Sequence, residues 1–115
     1  MNEEATPATS KTSTGLQPNV AGLLCYLAGW ITGLVFFLIE KENRFVRFHA
    51  MQSLITFGGL TALFIALGFI PLIGWLLIPI LGLVQLVLWI LLMVKAYQGE
   101  HFKLPVIGEL AEKNI

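Results

Sequence analysis

The chain contains no aspartate and a single cysteine, Cys25, in 115 residues. Charge is scarce as well. Lys, Arg, Asp and Glu make up 12%, seven basic against seven acidic, for a formal net charge of zero. A soluble domain carries about twice that share. Each shortage excludes something. One cysteine forms no intramolecular disulfide and completes no soft-metal site. A net charge of zero excludes a nucleic-acid binder acting by bulk electrostatics, and equally an acidic tail protein. Low charge beside 57% hydrophobic residues and 11 glycines excludes an ordinary soluble enzyme. No HExxH, CxxC, GxSxG or phosphate-loop pattern occurs. An intramembrane enzyme needs a nucleophile–base pair or a carboxylate at depth, and neither is present. The two histidines, His49 and His101, lie far apart in sequence. Glu100 beside His101 reads as a solvated pair, because a metal site asks for three or four ligands. The expectation is a non-enzyme without cofactor or metal.

What is there is apolar sequence, set out by the charges. Residues 12–39 and 50–94 carry none; all fourteen fall in 1–11, 40–49 and 95–115. Val20 to Ile39 is a 20-residue apolar run, about 30 Å as a helix and enough for one hydrocarbon core. The 45 residues of the second gap would reach roughly 68 Å as one helix, so they must fold back. The break falls between Gly68 and Gly74, around Pro71. The pattern predicts an all-α integral membrane bundle with three transmembrane helices, at about 20–39, 50–70 and 75–94. Asn19 and Asn43 are candidate caps, and Pro79 predicts a kink in the third span. Residues 1–18 read as a disordered tail, 19–97 as the transmembrane domain and 98–115 as a cytoplasmic tail. In that tail Pro105 opens a short amphipathic segment that could lie on the membrane. The first span reads as retained rather than as a signal peptide, since Phe37-Leu38-Ile39-Glu40 offers no small-residue cleavage site. Three spans put Lys41, Arg44, Arg47, Lys95, Lys103 and Lys113 on one side and Lys11 on the other. The positive-inside rule then places the N-terminus out and the C-terminus in, in a multi-pass protein of the cell membrane.

Helices in lipid associate through close packing and polar contacts. Gly29 and Gly33 form a small-residue pair in the first span, and Gly58, Ala62 and Ala66 repeat at four-residue spacing in the second. Both sets serve helix packing, within the chain or between copies. His49, Gln52, Ser53 and Thr56 form a polar stripe on another face of the second span. Thr32 and Gln85 are candidates to meet it; otherwise it faces a partner or a wetted cavity. Arg44, Phe45, Arg47 and Phe48 read as an inner-interface anchor, with guanidinium groups at the surface and phenylalanines sunk in lipid. Trp75 and Tyr97 fit the two interfacial belts.

The run Arg44-Phe45-Val46-Arg47-Phe48-His49-Ala50-Met51-Gln52-Ser53 carries a resemblance. With Leu23 to Leu27 and the tail Lys103 to Ala111, it resembles a family of small uncharacterised prokaryotic multi-pass membrane proteins. That family is itself similar to the twenty-kilodalton component of the chloroplast inner-envelope Tic translocon. The resemblance implies a multi-pass protein with its most distinctive segment at the inner surface, and more remotely a part in translocation. The expected partners are the lipid bilayer and either a second copy or another membrane protein, with no nucleic acid. The expected role is an interaction, scaffold or accessory subunit; the alternative is an oligomeric channel or translocation component.

Overall fold

A computed structural model describes residues 11–115. Among them the chain is all helical, in five helices with no strand: α1 (Pro18–Leu27), α2 (Trp30–Ile39), α3 (Arg44–Gly68), α4 (Ile73–Tyr97) and α5 (Ile107–Lys113). Among the described residues only α3 and α4, of 25 residues each, are long and apolar enough to cross a membrane; each reaches about 37 Å. They form an antiparallel pair joined by the turn at 69–72. Asn43 caps α3 as expected, its side chain accepting from Val46 N at 3.1 Å. Pro79 lies inside α4, which continues through it.

The first expected span is not one helix. It is split into two helices of ten residues, each about 15 Å long, and the second doubles back on the first. Gly22 lies against Phe45 and Ala96, Tyr26 against His49, and Gly29 against Phe57. The direction then reverses: Gly33 meets Ala50 and Ser53, and Arg47 donates to Phe37 O at 3.2 Å and Glu40 O at 2.7 Å. Ala21 and Cys25 of α1 share a cluster with Phe36 and Phe37 of α2. The two short helices are therefore a hairpin that enters the bundle to about half the height of α3 and returns.

The turn is made possible by Gly29, at φ 64 and ψ −135, a region that side chains with a Cβ avoid. Breaking a helix frees backbone groups, which must find partners in a dry interior. They do. Thr32 Oγ1 accepts from Ala28 N at 3.0 Å and reaches Cys25 O at 3.2 Å. Trp89 Nε1 donates to Tyr26 O at 2.7 Å, and Ser53 Oγ to Gly29 O at 2.9 Å.

This overturns the expectation of one continuous helix over 20–39, and the three-span, N-out and C-in arrangement built on it gains no support. The N-terminal segment, the 40–43 loop and the C-terminal segment meet at one end of the molecule. Ser13 N donates to Glu40 Oε2 at 2.8 Å, Asn19 Nδ2 to Tyr97 O at 3.1 Å, and an Arg47 guanidinium N–H to Ile115 O at 3.5 Å. All seven basic residues, Lys11 included, belong to the segments gathered at this end. Asn19 thus ties α1 to α4 and is not the cap; Gln17 occupies that position, with Pro18 opening the helix. Of the expected tail, residues 1–10 lie outside the described residues, and 11–17 run as turns held to the 40–43 loop. All five helices meet at the basic end, and only α3 and α4 reach the other. There α3, α4 and the turn between them expose large apolar side chains, Ile65, Phe69 and Leu76 among them.

Candidate functional site

The polar stripe is the centre of the basic half. His49, Gln52, Ser53 and Thr56 are all buried, and neither Thr32 nor Gln85 meets the stripe as a group. Its partners are Tyr26 and the backbone of residues 99–104, an irregular strap that follows α4. Gln52 Nε2 donates to Tyr26 Oη at 3.0 Å and to Phe102 O at 2.9 Å, while Gln52 Oε1 accepts from Leu104 N at 3.0 Å. His49 Nε2 lies 2.9 Å from Glu100 O, and Nδ1 lies 2.6 Å from Tyr26 Oη. A carbonyl only accepts, so Nε2 carries the proton. The tyrosine hydroxyl, already accepting from Gln52, then donates to Nδ1, and every group in the chain has one consistent role. Ser53 holds the hairpin tip through Gly29 O, and Thr56 Oγ1 is buried without a hydrogen bond.

Arg44, Phe45, Arg47 and Phe48 do not form the lipid anchor that their pattern suggested. Phe45 and Phe48 are buried inside the protein. Phe45 packs edge-on against His49, and Phe48 stacks on His101 at 3.9 Å between ring centroids. Arg47 spends its charge on the carbonyls at the end of α2 and lies over the Phe37 ring, 4.4 Å from its centroid. Only Arg44 is exposed. The physical reason is twofold: α1 covers Phe45 through Gly22, Ala21 and Cys25, the strap covers Phe48 through His101, and α5 packs on α3 beside them. Gly108 and Ala111 are buried, and Lys103 and His101 both reach Glu112, at 2.7 and 3.0 Å. α5 docks on the bundle through these contacts.

Three titratable groups at this end are shifted: Glu40 in the 40–43 loop, His101 in the strap and Glu112 in α5. Burial pushes the His101 imidazole below its usual value, and nearby Lys103 and Arg44 add to that against the pull of Glu112. The hydrogen bond from Lys103, aided by His101, holds Glu112 below the usual carboxylate range. Burial alone raises the Glu40 carboxyl, but hydrogen bonds from Asn43 N, Ser13 N and Glu42 N outweigh it and the net shift is downward.

The small-residue positions divide. Gly29 makes the turn, and Gly33 allows α2 to touch α3, where an added Cβ would stand 2.9 Å from Ala50 O. Gly58 stands beside Trp30, where an added Cβ would have ordinary contact at 3.8 Å. Ala62 and Ala66 are exposed, as is Gly59. Between the hairpin tip, α3 and α4 lies a pocket of about 570 Å³ lined by Trp30, Phe57, Thr61, Gly82, Gln85 and Trp89, among others. Among the described residues no three His, Cys, Asp or Glu side chains come together as a metal site would require.

The family model for the magnetosome magnetite crystal formation proteins matches residues 12–111, which include all of α1 to α4 and the strap. The chain belongs to that family. Similar proteins include a UPF0132 membrane protein of Methanocaldococcus jannaschii, 57% identical over 103 residues and covering 90% of this chain and 93% of that one. A UPF0132 membrane protein of Archaeoglobus fulgidus is 59% identical over 100 residues, covering 87% and 97%. A second from M. jannaschii is 50% identical over 99 residues, covering 86% and 71%. No solved structure matches the chain. For this member of the magnetosome family, then, the match and the relatives' names establish a small membrane protein. Tyr26, Trp89 and the strap are the parts of its site that sequence reasoning missed. A tyrosine in an apolar run is a visible signal; the backbone groups of 100–104 leave none.

Proposed function

We propose that the chain is a multi-pass protein of the cell membrane with two spans and a re-entrant hairpin, acting as a scaffold or accessory subunit and not as an enzyme. Its basic end faces the cytoplasm, in keeping with the concentration of all seven basic residues there. The observation that carries the reading is the outward face of Gly59, Ala62 and Ala66, placed where the molecule thins to two helices. Small residues left open on a lipid-facing helix let a neighbouring backbone approach closely. The neighbour is a second copy or another membrane protein. The family description concerns magnetite crystals. With no aspartate in the chain, a helical frame that organises other proteins is better supported than a mineral-binding surface.

Photo-crosslinking from a probe at Ala62 in native membranes tests this. A defined protein adduct that disappears in the Gly59→Leu, Ala66→Leu variant is expected; adducts with lipid alone overturn it. Transport, the second reading implied by the resemblance to the Tic component, would require the 99–104 strap to leave the polar stripe. Ion flux in liposomes is its test.

A further inference from the structure

The hairpin stops at mid-height, and the pocket below its tip is accounted for by neither the strap nor the small-residue face. Gln85 is the thirteenth of the 25 residues of α4, so the pocket lies at the middle of the span. Its walls are aromatic: Trp30, Phe57 and Trp89. No charged side chain lines it. Two of its polar side chains are already spent, Trp89 Nε1 on Tyr26 O and the Thr61 hydroxyl on Phe57 O, at 2.7 Å each. The Gln85 amide is left without a hydrogen-bond partner among the described residues. The rim residues Leu27 and Leu86 are half exposed, at 50% and 49%, so the pocket opens sideways.

An occupant must therefore come through the bilayer, carry no charge and bring a hydrogen-bonding group to the centre of the membrane. A phospholipid presents only hydrocarbon at that depth, and an amide facing hydrocarbon is left unsatisfied. We propose that this pocket binds a lipid-soluble quinone, its ring between the Trp30, Phe57 and Trp89 side chains and one carbonyl oxygen accepting from Gln85 Nε2. Flat rings pack well against aromatic walls, and a pocket of this size, with aromatic walls beside a polar strip of the hairpin backbone, Thr61 and Gln85, has the form of a small-molecule site. The inference rests on the bilayer placement proposed above. The two fail separately: a chain that does not enter a lipid disc fails the placement before any ligand is added.

The chain has three tryptophans. Trp75→Phe leaves Trp30 and Trp89, both in the pocket, as the only indole emitters. The protein is incorporated in lipid nanodiscs and titrated with a naphthoquinone bearing a short isoprenoid tail; the matching isoprenoid alcohol is the control. Quenching by a bound ring saturates, whereas quenching by random collision rises without a plateau. The expected result is a plateau with the quinone and none with the alcohol. Gly82→Leu, whose side chain enters open space in the pocket, should abolish the plateau. Gln85→Leu should raise the half-saturating concentration about five- to tenfold, the worth of one hydrogen bond. Should Gly82→Leu not fold, judged by helix content, Gln85→Leu and photolabelling of the 82–89 peptide by an azido-quinone carry the decision. Unsaturable quenching in the Trp75→Phe protein, or labelling spread along both spans, overturns the proposal.

Discussion

Replacing Gln52 by leucine would release the strap. The Gln52 side chain is fully buried and bonds to the strap at two points, Phe102 O at 2.9 Å and Leu104 N at 3.0 Å. Leucine has nearly the same volume, so packing changes little, but both backbone groups lose their partner. Side-chain hydrogen bonds within membrane bundles are worth about 1 kcal/mol each, and a buried group left unpaired costs about 1–3 kcal/mol. The docked strap therefore becomes less stable by about 2 kcal/mol or more, a factor of roughly 30 in its opening equilibrium. Tyr26 keeps its bond to His49, so the hairpin stays in place. Amide exchange of the protein in nanodiscs reads both effects. The Leu104 amide should lose protection by roughly 30-fold, while amides in the middle of α3 and α4 keep theirs. Unchanged protection at Leu104 would refute the claim that Gln52 holds the strap, and equal loss everywhere would mean that Gln52 supports the whole bundle.

Three further outcomes follow from the same structure. Gly33→Ala places a Cβ 2.9 Å from both Ala50 O and Ser53 Cβ and should destabilise by about 1–3 kcal/mol; Gly59→Ala meets nothing and should stabilise slightly. Thermal midpoints in detergent compare the two. Trp89→Phe removes the donor to Tyr26 O, which should cost about 1 kcal/mol and raise amide exchange at residues 28–31. Acidification should loosen the loops in two stages, followed by proteolysis of the 98–106 segment. His101, with its pKa lowered in the fold, binds a proton more readily when undocked, so stability falls as pH drops below about 6.5. The contributions of Glu40 and Glu112, also lowered, are present above about 4.5 and are lost as pH falls further. Cleavage that does not change between pH 7 and 4 would contradict this.

Charge placement and run length were enough to locate α3 and α4, because a helix that crosses lipid must be apolar along its whole length. The same rule misread residues 20–39. A helical hairpin packed inside the bundle carries the same apolar run as a span, and what separates the two is one backbone angle at Gly29, which also fits a packing motif. Thr32, one turn on, is the residue that satisfies the broken helix, yet a threonine in a span is common. The orientation expected from the charges rested on that single helix, and the hairpin instead brings Lys11 to the end that holds the other six basic residues. The polar stripe was legible as a face needing hydrogen bonds, but its partners are mostly carbonyls and an amide in a tail whose sequence carries no mark of them. Phe45 and Phe48 looked lipid-facing because neither the return of α1 onto Phe45 nor the strap stacked on Phe48 could be placed from the sequence.

The re-entrant hairpin is most directly tested by sidedness. In a Cys25→Ala background, single cysteines are introduced as Gln17→Cys, Leu72→Cys and Lys113→Cys, and intact cells are treated with a membrane-impermeant maleimide. The account predicts that positions 17 and 113 behave alike, shielded until the cells are opened, while 72 reacts from outside. Labelling of 17 from the outside with 113 shielded would mean that residues 20–39 cross the membrane, and the hairpin would be wrong.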